Sequence, residues 1–307
     1  MSLPLPLYSE DELAVGHLGR IRQWIGASSR AEVVRALRDR AAGDGSDVPP
    51  LLQVVAIACG LQVDFYVGRH SMLPFTCFLV SDDPILRRAA PCWSNPVVSK
   101  VGYLTPAGLP TFCPDCASEQ RERAMYSVWR RSLQLPGQLH CVKHGSRLLQ
   151  AYSVEAFMEQ PSDVLASGRH AEVLTRTWTD DHPAIVRFAA CGQAMLATCR
   201  SWPSDVAREV LSRRASLLGL RPSKGGTLPL LSDVAYDTFP GSFMEEYFPL
   251  SAGKSRGTVV PTIDCAAMKS GNPPTGTAVA LAMALLYNSP QEAIDAFVAA
   301  NQSASPR

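Results

Sequence analysis

Lysine is scarce in this 307-residue chain. Only Lys100, Lys143, Lys224, Lys254 and Lys269 occur, so arginine supplies 24 of the 29 basic side chains. Acids number 28 and the formal net charge is +1, which leaves no global field to draw the chain to nucleic acid. Long apolar runs are missing too. The longest, LLQVVAIACGL at 51–61 and AVALAMALLY at 278–287, are too short to span a bilayer and read as buried helices. The opening MSLPLPLYSEDEL lacks the basic start and apolar centre of a signal peptide. Nine cysteines, odd in number and irregular in spacing, argue against a disulfide framework and for a reducing compartment. The expectation is a cytoplasmic protein with no membrane partner.

Catalytic constellations are lacking as well. RPSKGG (221–226) has a lysine and glycines but neither the upstream glycine nor the apolar strand of a phosphate-binding loop. The acid pairs Asp82-Asp83 and Asp180-Asp181 have no third acid at matching spacing for a divalent ion. No enzyme is expected.

What is present is helical patterning and one strong cysteine motif. The length allows two domains with room for a small third module. Ser9-Glu10-Asp11-Glu12 and Ser29-Arg30-Ala31-Glu32 both fit capping boxes, and Gly26 and Gly60 fit helix stops. With a helix opened by Pro50 and a fourth over 63–75, residues 9–80 look like a small helix-turn-helix domain. Residues 81–110 are a proline-rich connection. After 150, apolar residues recur at helical spacing in AYSVEAFMEQ, AIVRFAACGQAMLATCR and DVAREVLSRRASLLGL, then near 228–238, 241–248, 277–288 and 290–300. The expected fold is therefore mainly α: a helix-turn-helix-like domain over 1–80, a linker and zinc-ribbon-like module over 81–150, and a C-terminal helical domain over 151–307.

The cysteine motif is CPDC (113–116) answered by CVKH (141–144). Two short hooks, each with two soft or borderline donors, suit one tetrahedral zinc ion held by Cys113, Cys116, Cys141 and His144. All four positions are filled, so the expected ion is structural rather than catalytic. A redox pair at Cys113 and Cys116 would want a βαβ context, which is absent. His140 could stand in for His144, with poorer spacing. Cys191 and Cys199, eight apart on a helical pattern, read as one buried face.

Between the hooks runs YSVWRRSLQLPGQLHC (126–141). A lone Trp129 reads as half-buried against the metal module. Arg130 and Arg131 suit a phosphate clamp or an acidic partner surface, against a plain solvated pair or one arginine packed on the tryptophan. Gln134-Leu135-Pro136-Gly137 reads as a turn returning the chain to the second hook. A further basic group, Arg208, Arg213, Arg214, Arg221 and Lys224, is a candidate nucleic-acid or partner contact.

The order of these elements resembles the TniQ family of transposon target-selection proteins, related to TnsD: Cys-x-x-Cys, aromatic-Arg-Arg, Gln-Leu-Pro-Gly, then Cys-x-x-His-Gly. LPLYSEDEL at the start and HSMLPF (70–75) are similar to further family stretches, so the resemblance spans about residues 3–150. The chain departs from the pattern at Val128, where a tyrosine is usual, and at Leu133, where a histidine is usual. The resemblance implies a non-catalytic adaptor linking a DNA target, or an RNA-guided CRISPR effector complex, to the AAA+ ATPase regulator of transposition. It also implies a possible homodimer. The alternative is a stand-alone zinc-containing DNA-binding regulator.

Overall fold

The computed structural model describes residues 4–42, 49–80, 108–173, 181–199, 201–221, 227–249, 253–268 and 274–304. These residues are mainly helical, with fourteen α-helices and five strands of two or three residues. The chain divides into two compact units, one of Met1–Leu73 with Cys92–Leu174, the other of Pro74–Pro91 with Thr175–Arg307. This differs from the three consecutive domains expected from the sequence. The N-terminal helices and the Cys/His module share one unit, and residues 151–173 belong with them.

The first unit begins with α1 (Ala14–Ile25), α2 (Arg30–Ala41), α3 (Leu51–Ala58) and α4 (Val63–His70). Gly26 ends α1 in the left-handed region at φ 71°, where its N–H reaches the last carbonyls. Ser29 caps α2 by accepting the Glu32 N–H, and Glu32 returns to Ser28 rather than to Ser29. At Ser9 the box forms only a turn. Glu12 accepts the Ser9 N–H at 2.8 Å, but α1 starts later, at Ala14. Residues 59–62 join α3 to α4, Gly60 takes φ 70°, and the two helices turn through 117°. That angle and turn length are those of a helix-turn-helix. No single helix among the described residues is long and apolar enough to cross a membrane.

The Cys/His module follows in the same unit. Strands β2 (Thr111–Phe112), β3 (Leu149–Ala151) and β4 (His170–Glu172) form an antiparallel sheet in that order, with Phe112 opposite Leu149 and Ala151 opposite His170. Helix α6 (Pro114–Ala124), a 3-10 turn at Arg131–Gln134, a second 3-10 turn at Val154–Met158 and α7 (Pro161–Ala166) complete it. The stretch AYSVEAFMEQ, helical by spacing, is instead the end of β3 followed by a single 3-10 turn. Its apolar residues Ala156 and Phe157 face inward over a span too short for the 3.6-residue period to continue.

Two glycines bring this module onto α1. A Cβ at Gly16 would stand 2.9 Å from Trp129 Cδ1, and one at Gly19 would stand 2.7 Å from both Met158 Cα and Phe157 O. Trp129 is wholly buried rather than half-buried, with ring edges against Phe112 and Phe157 and its Nε1–H donating to Glu159 O at 2.8 Å.

The second unit contains β1 (Leu79–Val80), paired in parallel with β5 (Trp202–Pro203), and α8 (Pro183–Ala197), α9 (Ser204–Leu217), α13 (Gly276–Leu286) and α14 (Pro290–Ala304). Between α9 and α13 lie α10 (Leu231–Thr238), α11 (Gly241–Tyr247) and α12 (Pro261–Asp264); α5 (Leu73–Thr76) stands where the chain leaves the first unit. Helix α13 is apolar almost all round and packs chiefly on α8, as a central core helix should. Phe78, Trp202 and Phe297 form one aromatic cluster, and Phe188, Phe239, Phe243 and Tyr247 another.

Candidate metal centre

Each hook is built by its own local chemistry. Cys113 is the N-cap of α6, with Pro114 in the first turn, where a missing N–H costs nothing. The Cys113 sulfur accepts the Cys116 N–H at 3.4 Å, so both sulfurs of the first hook sit at a helix N-terminus. The second hook is a tight reversal. Gly145 donates to Cys141 O at 2.8 Å from φ 68°, Cys141 donates to Ser146 O at 2.9 Å, and His140 bridges to Arg147. Gly145 is thus the residue that lets the chain turn away.

The four ligand atoms converge within 4.8 Å of one another. His144 Nδ1 lies 3.4 Å from Cys113 Sγ, 3.4 Å from Cys116 Sγ and 3.8 Å from Cys141 Sγ, and Cys116 Sγ lies 3.6 Å from Cys141 Sγ. A tetrahedral ion with metal–sulfur bonds of about 2.3 Å and metal–nitrogen bonds of about 2.05 Å has S···S edges of about 3.8 Å and S···N edges of about 3.6 Å. The donors fit that figure. The three cysteines are buried and free of disulfides. This Cys3His cluster can therefore hold a metal ion. Burial pushes the Cys113 thiol up to about 12 and raises Cys116, whose rise Arg130 opposes. Burial also acts upward on Cys141, but N–H donors from His144 and Lys143 bring it below the usual thiol value. Adjacent thiolates repel one another, and a cation between them offsets that repulsion.

Around the ligands stands a shell that sequence reasoning missed. His144 Nε2 lies 3.4 Å from Glu119 Oε2. Lys143 pairs with the same carboxylate and holds it below the usual range, so Glu119 is ionised and ready to accept from the imidazole. Arg130 Nη1–H donates to Cys116 Sγ at 3.7 Å. The signal for Glu119 was available: Pro and Asp just after Cys113 mark a helix N-terminus, which puts Glu119 one turn beyond Cys116.

The arginines expected to clamp phosphate are mostly turned inward. Arg131 is buried and donates to Gly68 O at 2.6 Å and Ser71 O at 3.3 Å, so its guanidinium is spent on carbonyls at the end of α4. Arg130 is divided between Cys116 and Asp11. Arg214 bonds Leu286 O and Glu292 and lies over the Tyr287 ring. Arg208 is buried. Arg221 reaches Gly257 O at 3.0 Å, Arg213 is exposed on α9, and Lys224 lies outside the described residues. Of these, Arg213 and Arg214 line one groove together with Tyr287 and Glu292. Of the acid pairs, Asp82, Asp83 and Asp180 lie outside the described residues. Among the described residues, Cys113, Cys116, Cys141 and His144 form the one group that could hold a metal, and Cys191 and Cys199 belong to no such group.

Gln134 ties the loop together. Its side-chain oxygen accepts the Thr111 N–H at 3.1 Å and its amide donates to Thr111 O at 2.7 Å, extending β2 by a side chain in place of a strand. Leu135-Pro136-Gly137-Gln138 closes as a turn with Gln138 N–H on Leu135 O and φ 74° at Gly137, as Pro and Gly in central positions require. No protein-family model matches the chain, and no curated protein sequence does.

Proposed function

We propose that the cluster holds one structural zinc ion and that the chain is a non-catalytic target-selection adaptor for transposition. Its partners would be a DNA target or an RNA-guided complex on one side and an AAA+ ATPase regulator on the other, with a homodimer as one assembly. The observation that carries the reading is the ligand count. Three cysteines and one histidine fill a tetrahedron and leave no position for substrate or water. The residues behind the TniQ resemblance support it by acting together. Trp129 and Arg131 join the loop to the N-terminal helices, Trp129 by packing on Gly16 and accepting the Leu13 N–H and Arg131 by bonding the carbonyls of Gly68 and Ser71, while Gln134 ties the loop to β2 and His70 ties α4 to Glu12, all in one unit.

Co-purification with the ATPase regulator and with a guide complex tests the adaptor reading; binding to neither ends it. The α3–α4 geometry favours a second reading, a DNA-binding regulator. Such a protein binds duplex DNA alone, with affinity falling about 0.9 decades per phosphate contact for each decade of salt. Weak, salt-insensitive binding removes that alternative.

A further inference from the structure

Asp11 stands in the left-handed region at φ 57°, uncommon for a residue with a side chain. Its carboxylate accepts from Arg130 Nε at 3.3 Å, from Ser132 N at 3.3 Å and from the Ser132 hydroxyl, and lies 3.6 Å from Arg131 Nε. Its own carbonyl accepts the Arg131 N–H at 2.8 Å, and two residues on, the Leu13 N–H reaches Trp129 O at 2.7 Å. The segment leading into α1 is thereby paired to the loop between the hooks. Arg130 has a second end: from Asp11 it extends to the Cys116 sulfur, 3.7 Å from Nη1.

The charges give this bridge its direction. Three thiolates and a neutral imidazole around a divalent ion carry one surplus negative charge. A guanidinium donating to one of those sulfurs offsets it, and a carboxylate holding the guanidinium fixes its direction. We propose that Arg130 is a positioning residue of the metal centre and that, through Asp11, metal binding is coupled to the docking of the segment that enters α1. The inference rests on the metal reading of the Cys/His cluster. Because coupling of this kind is reciprocal, disturbing the Asp11 end weakens the metal just as removing the metal loosens the segment.

The test is metal competition on the full chain, zinc against a chromophoric chelator, for the wild type, Arg130→Met, Asp11→Asn and Arg121→Met. Asparagine tolerates the left-handed backbone, so Asp11→Asn removes charge without strain. Arg121→Met removes an arginine from α6 that reaches Met125 O and none of the ligands. Arg130→Met and Asp11→Asn are expected to bind zinc about 10- to 100-fold more weakly, with Arg121→Met unchanged. With cobalt in place of zinc, loss of the N–H···S bond moves the thiolate-to-metal charge-transfer band of Arg130→Met to lower energy, a shift that general loosening of the fold does not give. Should Arg130→Met fail to fold, Asp11→Asn carries the test. Wild-type affinity in both variants overturns the coupling and leaves the metal assignment standing. A loss in Arg130→Met alone breaks the link through Asp11. A wild-type chain that takes up neither zinc nor cobalt overturns the assignment itself, and the coupling with it.

Discussion

His144 faces two ways: its Nδ1 lies 3.4 Å from the sulfurs of Cys113 and Cys116, and its Nε2 lies 3.4 Å from the carboxylate of Glu119. A carboxylate behind a ligating imidazole fixes the tautomer, keeping the proton on Nε2 and the lone pair of Nδ1 toward the metal. Glu119→Gln keeps the shape and loses the charge. It should lower zinc affinity about tenfold, read by chelator competition.

Cys113→Ser and Cys141→Ser each remove one of four ligands. Metal analysis should fall from one ion per chain to well below one in both. The surrounding module should lose its protection against proteolysis, because ligand binding and local folding are one equilibrium in such sites. Full zinc content in both variants would sink the assignment.

Acid should destabilise the N-terminal helices before it removes their carboxylate contacts. His17 has Nε2 on Pro6 O and Nδ1 on the Tyr66 hydroxyl; His70 has Nδ1 on Glu12 O, and its Nε2 is buried with no hydrogen-bond partner among the described residues. Burial lowers both imidazoles, His70 to about 4, against the favourable pull of Glu12. The unfolded chain therefore binds more protons below the ordinary histidine value of 6.5, and stability is full above it and falls toward pH 4. For His70 the loss approaches about 3 kcal/mol. Urea midpoints at pH 7.5 and pH 5 measure it. The difference should shrink in His70→Asn; an equal difference in that variant assigns the effect elsewhere.

Gly19→Ala places a methyl 2.7 Å from the backbone of Phe157 and Met158, atoms that cannot rotate away. A cost of about 1–3 kcal/mol in chemical denaturation is expected, as for other overpacked contacts. Gly241→Ala, with nothing near the added methyl, should cost far less.

The Cys/His cluster was legible because its chemistry is local: each hook spans four residues. Ser29, Gly26 and Gly60 were legible for the same reason, since a cap or stop acts within one turn. The β2–β3–β4 sheet was not, because strands of two or three residues carry no alternation to read. The arginines failed differently. Arg131 finds its carbonyl 63 positions away at Gly68, and Arg130 finds its carboxylate 119 positions away at Asp11, so nothing beside them marks them as internal. The order of residues between the hooks marks the loop but not the direction of its side chains.

The inward direction of Trp129, Arg131 and Gln134 makes the metal loop a chassis rather than a reading head. Under the adaptor function proposed above, discrimination between targets falls to outer residues such as Asp64, Phe65 and Arg69 of α4, where Arg69 rests on the Phe65 ring.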